Sequence, residues 1–200
     1  MVLPIAYFPP VEYFALLVKY SSVYLEACEH YVKQTYRNRC RILTAGGPMD
    51  LRVPVVHEGK SLITEIRVDY STPWVRQTKY ALESAYYSSP FFEYYRDGIF
   101  ALLDARPETL WELDLGITRH LCARIGIAPE LLPTREYTGA DVDIHPKHQS
   151  SYEPRPYYQV FSSKYGFTGN LSVLDLLFNE GPESLSWLLP PGGICKTGKD

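Results

Sequence analysis

Lys33-Gln34-Thr35-Tyr36-Arg37-Asn38-Arg39-Cys40-Arg41-Ile42 runs into Ala45-Gly46-Gly47-Pro48, a cluster of turn formers. Alternation bounded by such a turn predicts a strand over Tyr36 to Ile42. On a strand successive side chains point to opposite faces, so Arg37, Arg39 and Arg41 share one face and Tyr36, Asn38, Cys40 and Ile42 the other. Between Glu29 and Asp50 the chain holds no acidic residue. In a protein of formal net charge -3 this is a local surplus of cations, and a row of planar guanidinium forks suits phosphate or carboxylate. A solvated strand would look the same if its arginines were paired from elsewhere, since the chain has 23 acidic residues to offer.

Outward from this stretch, β-type pieces flank it. Leu3 to Tyr7 and Val23 to Ala27 read as strands, separated by a helix from Val11 to Lys19. Asp50 to Val56 and the alternating Leu62 to Asp69 follow, divided by the turn Glu58-Gly59-Lys60. Pro54 belongs at an edge or bulge. From Ser71 the period becomes helical. Ser71 or Thr72 is the expected cap of a helix ending near Tyr87, with Pro73 in its first turn. Two more helices follow, Phe91 to Leu103 and Thr109 to Arg124, the last stopped by Gly126. Pro129, Pro133, Pro146, Pro154 and Pro156 then punctuate an irregular stretch. Order is expected again at Pro156 to Phe161 and in a helix opened by Ser172 and ended by Gly181-Pro182.

The expected class is α+β: a small mixed or antiparallel sheet from the N-terminal third, packed against a helical block. A chain of 200 residues, 46% hydrophobic, is enough for one good core, so residues 1–188 form a single domain and 189–200 have the composition of a disordered tail. Cys28, Cys40, Cys122 and Cys195 show no clustered spacing, which argues against structural zinc and a disulfide framework. Pro4, Pro9, Pro10 and Glu12 interrupt the apolar opening, so neither a signal peptide nor a membrane span is expected, and the location expected is the cytoplasm. A pI near 6.0 gives no support for a nucleic-acid partner.

No Walker loop, GxGxxG, HExxH or GxSxG pattern is present, and no cofactor is assigned. Three weaker groupings remain. Glu29 and His30 precede the basic stretch, where either could act as an acid or base beside Lys33 and the arginines; Cys28 would share a face with His30 if that segment is extended. Asp141, Asp143, His145 and His148 are four possible metal ligands, although Pro146 breaks any regular geometry between the histidines. Asn170, Asp175 and Asn179 lie on the late helix. There Asn170 is placed to cap free backbone donors, and Asp175 to pair with the arginine strand if the two meet.

Taken together, these segments resemble the bacterial WbqC-like family. The resemblance rests on Pro9-Pro10 with Tyr13-Phe14, on Glu29-x-Tyr31-x-Lys33-Gln34-x-Tyr36-Arg37-Asn38-Arg39, and on Val53-Pro54-Val55. It continues through Val68-Asp69, Trp74, Ala85-Tyr86 and Pro90-Phe91-Phe92, and closes on Asn170-Leu171-Ser172-x-x-Asp175-Leu176-Leu177-x-Asn179-x-Gly181-Pro182. Tyr7-Phe8-Pro9-Pro10 replaces the family's opening His/Gln-Pro pattern, and the segment before the terminal block is shorter than in the longer members. The resemblance implies a role in O-antigen or other surface-polysaccharide biosynthesis, as an aminoacyl (glycine) or acyl transferase acting on an amino sugar. The alternative is a non-catalytic binding or assembly protein of the same pathway. The basic stretch itself gives the expected partner, an anionic donor, a nucleotide sugar or a carrier of the coenzyme A type, seated on Lys33, Gln34, Arg37, Asn38 and Arg39. On this reading Arg37 belongs to the ligand and not to the fold.

Overall fold

The computed structural model of the chain describes residues 1–56, 59–142, 144–147, 150 and 152–190. β1 (Val2–Leu3) leads through a buried apolar run to α1 (Val11–Leu17), which crosses over so that β2 (Ser22–Leu25) lies parallel to β1. β3 (Arg39–Thr44) and β4 (Gly47–Arg52) form an antiparallel hairpin in which Thr44 faces Gly47. Gly47 holds φ +105°, a backbone that a side chain would strain. β5 (Val55–Val56) and β6 (Arg67–Val68) make a short antiparallel ribbon.

The expected strand over Tyr36 to Ile42 begins three residues late, at Arg39. Thr35 is the cause. Its hydroxyl donates to the Val32 carbonyl at 2.8 Å and accepts from the Arg37 amide at 3.4 Å, closing a local turn that competes with the ladder. Gln34 stands at φ +62° in the same turn.

α2 (Trp74–Tyr86), α3 (Phe92–Asp104) and α4 (Leu110–Ile125) are the three expected helices. α4 carries a capping box: Thr109 Oγ1 accepts from the Glu112 amide at 3.2 Å, and Glu112 Oε2 accepts from the Thr109 amide at 3.1 Å. Its end is Gly126 at φ 86°. α2 differs from expectation, because Pro73 is its N-cap without a side-chain bond, and the Ser71 amide turns instead to Asp69 Oδ1 at 2.8 Å.

Beyond α4, β7 (Glu130–Pro133) adds to the free side of β2 in parallel, giving a sheet of order β1-β2-β7. The described residues therefore hold three small sheets, one of them completed from the second half of the chain, and not a single sheet from the N-terminal third. β7 is four residues long and ends on a proline, too short for alternation to reveal. α5 (Ser162–Tyr165), α6 (Val173–Glu180) and α7 (Ser184–Leu188) close the chain, and Pro156 to Val160 carries no strand. The architecture is α+β.

One contiguous apolar core runs through all of this, including Leu3, Tyr7, Phe14, Ile42, Trp74, Phe92, Ile117 and Phe178. The Phe178 ring lies 5.0 Å from both Tyr86 and Phe92, centroid to centroid. The run before α6 is wedged between α1 and β3: the Val11 amide donates to the Leu171 carbonyl at 2.9 Å, Val173 to Pro9 at 2.9 Å, and Ser172 to Arg41 at 2.8 Å. Gly181 ends α6 at φ 53°, and a Cβ there would sit 2.5 Å from the Phe91 ring. Gly181→Ala combines left-handed strain with overpacking and is expected to lower stability by about 3 kcal/mol in urea unfolding.

Candidate anion-binding site

The β3–β4 hairpin and the turn before it enclose an open groove of about 420 Å³. Tyr31, Lys33, Gln34, Asn38 and Arg39 form one side, and Arg52, Val53, Pro54 and Val55 the other. The hairpin register puts Arg39 opposite Arg52 and Arg41 opposite Asp50, so three cations and one carboxylate share a face. Arg41 Nε donates to Asp50 Oδ1 at 2.8 Å, which raises the Arg41 pKa, while Arg39 Nη1 stands 3.6 Å from Asp50 Oδ2. Among the described residues Arg52 and Lys33 have no ion-pair partner. Like charges directly opposite on a hairpin are unfavourable unless something lies between them.

Two buried atoms on this wall have no hydrogen-bond partner among the described residues: Arg39 Nε and Asn38 Oδ1. Buried polar atoms are nearly always satisfied, so an orphaned donor beside an open cationic groove has the character of a ligand contact. The rest of Asn38 is structural. Its Nδ2 donates to the Val53 carbonyl at 2.9 Å, and its own carbonyl accepts from the Val53 amide at 2.9 Å. Gln34 Oε1 accepts from Lys147 Nζ at 2.7 Å.

The expected row of three arginines is corrected here. Arg37 lies before the strand and turns inward, where its Nε donates to Glu29 Oε1 at 2.7 Å and its Nη2 pairs with Glu29 Oε2. Only 12% of the Arg37 side chain and 10% of the Glu29 side chain are exposed. Both Glu29 carboxylate oxygens are taken by one guanidinium, so Glu29 is occupied by the fold. His30 is exposed and bridges to Leu62. β2 ends at Leu25, so alternation does not carry Cys28 and His30 onto one face; the Cys28 thiol points to the Thr134 carbonyl, Sγ to O 3.7 Å.

Asp141 secures the outer edge of β1. Its carboxylate accepts from the Val2 amide at 2.7 Å, and its own amide donates to the Val2 carbonyl at 2.9 Å. His145 Nδ1 accepts from the Lys147 amide at 3.1 Å. Asp143 and His148 lie outside the described residues. Asn170 caps a helix, but α1 and not its own: its Oδ1 accepts from the Glu12 amide at 3.0 Å, and its Nδ2 donates to Glu12 Oε2 at 3.0 Å. It also lines a cavity of about 380 Å³ with Tyr36 and Arg41, so the two recurring sequence blocks do meet.

Asp175 faces away from the arginines. Its Oδ2 accepts from Tyr157 Oη at 2.8 Å and Gln159 Nε2 at 2.7 Å, and its carbonyl accepts from Asn179 Nδ2 at 2.7 Å. Burial pushes its carboxyl up, the hydrogen bonds from Tyr157 and Gln159 restrain it, and the result is about 6. Sequence reasoning missed Arg52 as part of the groove. The turn Ala45-Gly46, read as a two-residue connection, sets Thr44 against Gly47 and so Arg39 against Arg52.

A model described as the WbqC-like protein family matches residues 5–145, a span that holds the whole groove and stops short of Asn170. The chain is also similar to the uncharacterized protein Rv1507c of Mycobacterium tuberculosis (strain ATCC 25618 / H37Rv). The two are 25% identical over 217 residues, which cover 91% of this chain and 94% of that relative. No solved structure matches. No helix among the described residues is long and apolar enough to cross a membrane.

Arg37→Ala leaves Glu29 a largely buried, unpaired charge and is expected to cost about 3–5 kcal/mol in urea unfolding. Asp175 gives an effect of opposite sign. Its folded pKa of about 6 exceeds the unfolded value, so the folded state binds the extra proton and stability falls as pH rises from about 4 to about 6. Asp175→Asn keeps an acceptor for Tyr157 and Gln159 without the charge. It should match the parent near pH 4 and exceed it by about 3 kcal/mol above pH 6, read from denaturation at each pH.

Proposed function

Because the chain belongs to the WbqC-like protein family, we propose that it is a cytoplasmic transferase of bacterial surface-polysaccharide biosynthesis, moving an aminoacyl or acyl group onto an amino sugar. The groove between Arg39 and Arg52 seats the anionic part of the donor, a nucleotide sugar or a carrier of the coenzyme A type. The observation that supports this is the charge imbalance on the hairpin: Arg39, Arg41 and Arg52 stand on one face with Asp50 alone between them, and Lys33 lines the same groove. A phosphate placed there separates the two opposed guanidinium groups and offsets their repulsion. Gln34 orients it from the side, and Asn38 holds the wall through its Nδ2 bond to the Val53 carbonyl. His30 replaces Glu29 as the proton acceptor for the attacking amine, since it is exposed next to Tyr31 while Glu29 is held by Arg37.

A second reading, a non-catalytic assembly protein, draws on three well-exposed rings of the helical block. Tyr80 is 73% exposed, Tyr87 68% and Tyr94 75%. A protein partner on that surface and a donor in the groove are separable by mutation.

The test is a thermal-shift screen of the full chain against nucleotide sugars, coenzyme A derivatives and aminoacyl donors, because a ligand of the native state stabilises it by mass action. One donor class should raise the melting temperature of the parent. Arg39→Ala and Arg52→Ala should lose that shift, while Arg52→Ala, at an exposed position, leaves the ligand-free melting temperature nearly unchanged. A shift that survives both substitutions overturns the assignment of the groove. Binding without turnover of any amino sugar, combined with partner capture that Tyr80→Ser abolishes, favours the second reading.

A further inference from the structure

Parallel sheets are ordinarily covered on both faces, and the β1-β2-β7 sheet is not. Leu3, Val23 and Leu25 turn into the core, but the opposite face presents the in-register row Val2, Tyr24 and Leu132, with Tyr24 45% exposed. This row floors a cavity of about 690 Å³ whose remaining wall is the segment after β7: Pro133, Thr134, Arg135, Glu136 and Thr138. None of its residues borders the groove of the hairpin. Three side chains on strands spaced about 4.8 Å apart make a flat apolar floor about 10 Å across, wide enough for a two-ring heterocycle.

The wall is held rigidly by a group with no other evident work. Glu26, at the end of β2 and fully buried, accepts from Thr134 Oγ1 at 2.7 Å, from the Thr138 amide at 2.9 Å and hydroxyl at 3.0 Å, from the Gly139 amide at 2.9 Å, and from the Cys28 amide at 3.0 Å. Burial pushes its carboxyl up, but these donors outweigh burial and hold it below the usual range, so the buried group stays ionised. A buried carboxylate with its acceptor positions filled fixes the 134–139 segment before any ligand arrives, which lowers the ordering cost of binding. The segment offers Arg135, which has no ion pair among the described residues, beside Thr138 and Glu136.

We propose that this cavity is a second small-molecule site, for a ligand of the nucleotide class. The planar base stacks on Tyr24 over the Val2–Leu132 floor, the sugar hydroxyls bond Thr138 and Glu136, and the phosphate meets Arg135. An anion alone would use Arg135 but gain nothing from the apolar floor, and a purely apolar ligand would leave Arg135 and Glu136 without a role.

The experiment is calorimetric titration of the full chain with adenosine monophosphate, with adenosine and inorganic phosphate as separate arms. The monophosphate should bind at least tenfold more tightly than either fragment. Tyr24→Ser and Arg135→Ala should each weaken it at least tenfold with circular dichroism and melting temperature unchanged, since both side chains are exposed. Arg52→Ala, in the other groove, should leave it intact. No binding of the monophosphate overturns the proposal; so does binding that tolerates Tyr24→Ser and Arg135→Ala, or that is lost in Arg52→Ala.

Discussion

The pairing of Arg37 with Glu29 is the constraint on which the site rests. It ties the residues just after β2 to those just before β3, so the intervening turn cannot drift from the hairpin it flanks. Further bonds fasten the Glu29 end from outside: the Ile63 amide donates to the Glu29 carbonyl at 2.9 Å and the Tyr31 amide to the Ser61 carbonyl at 3.0 Å. Held in this way, Lys33, Gln34 and Tyr31 line one groove with Arg39 and Arg52. Behind the pair, α4 brings up Asp114, fully buried, with neither carboxylate oxygen hydrogen-bonded among the described residues. Burial pushes its carboxyl well up against the pull of the Arg37 charge, so Asp114 keeps its proton while Arg37 gives its hydrogen bonds to Glu29.

Three buried acids in this protein show how hydrogen bonds set how far burial raises a carboxyl. Glu26 collects five donors and lies below the usual range. Asp175 is held by Tyr157 and Gln159 and rises to about 6. Asp114 has no donor among the described residues and is pushed well up. Desolvation acts on all three in the same direction, and the donors decide how far it is opposed. These acids accordingly do different work: Glu26 organises a segment, Asp175 anchors the Tyr157 and Gln159 strap to α6, and Asp114 stays neutral beside a charged pair.

Much of the helical half was legible in the sequence because its signals are local. Thr109 with Glu112 and Gly126 bracket α4 through bonds made within one turn of chain, and the 3.6 periodicity between them needs no distant partner. The basic character of the stretch before and in β3 was legible for a similar reason. A run of Lys33, Arg37, Arg39 and Arg41 free of acids marks a cationic stretch whatever its conformation. The assignment of Arg37 to the ligand failed because pairing depends on where Glu29 lies in space, and a strand that starts three residues late leaves Arg37 outside the alternation.

The amino-acid sequence alone determined the class of the fold, the positions of its long helices and the presence of a basic segment free of acidic residues, since each follows from spacing or composition over a few neighbouring residues. Only the tertiary structure decided that β7 joins β1 and β2, that Arg52 stands opposite Arg39, that Asp50 serves two arginines, and that Asn170 caps α1 from across the molecule. Each of those contacts is made between segments brought together by burial of the common core, and nothing in the local spacing of either partner encodes the other.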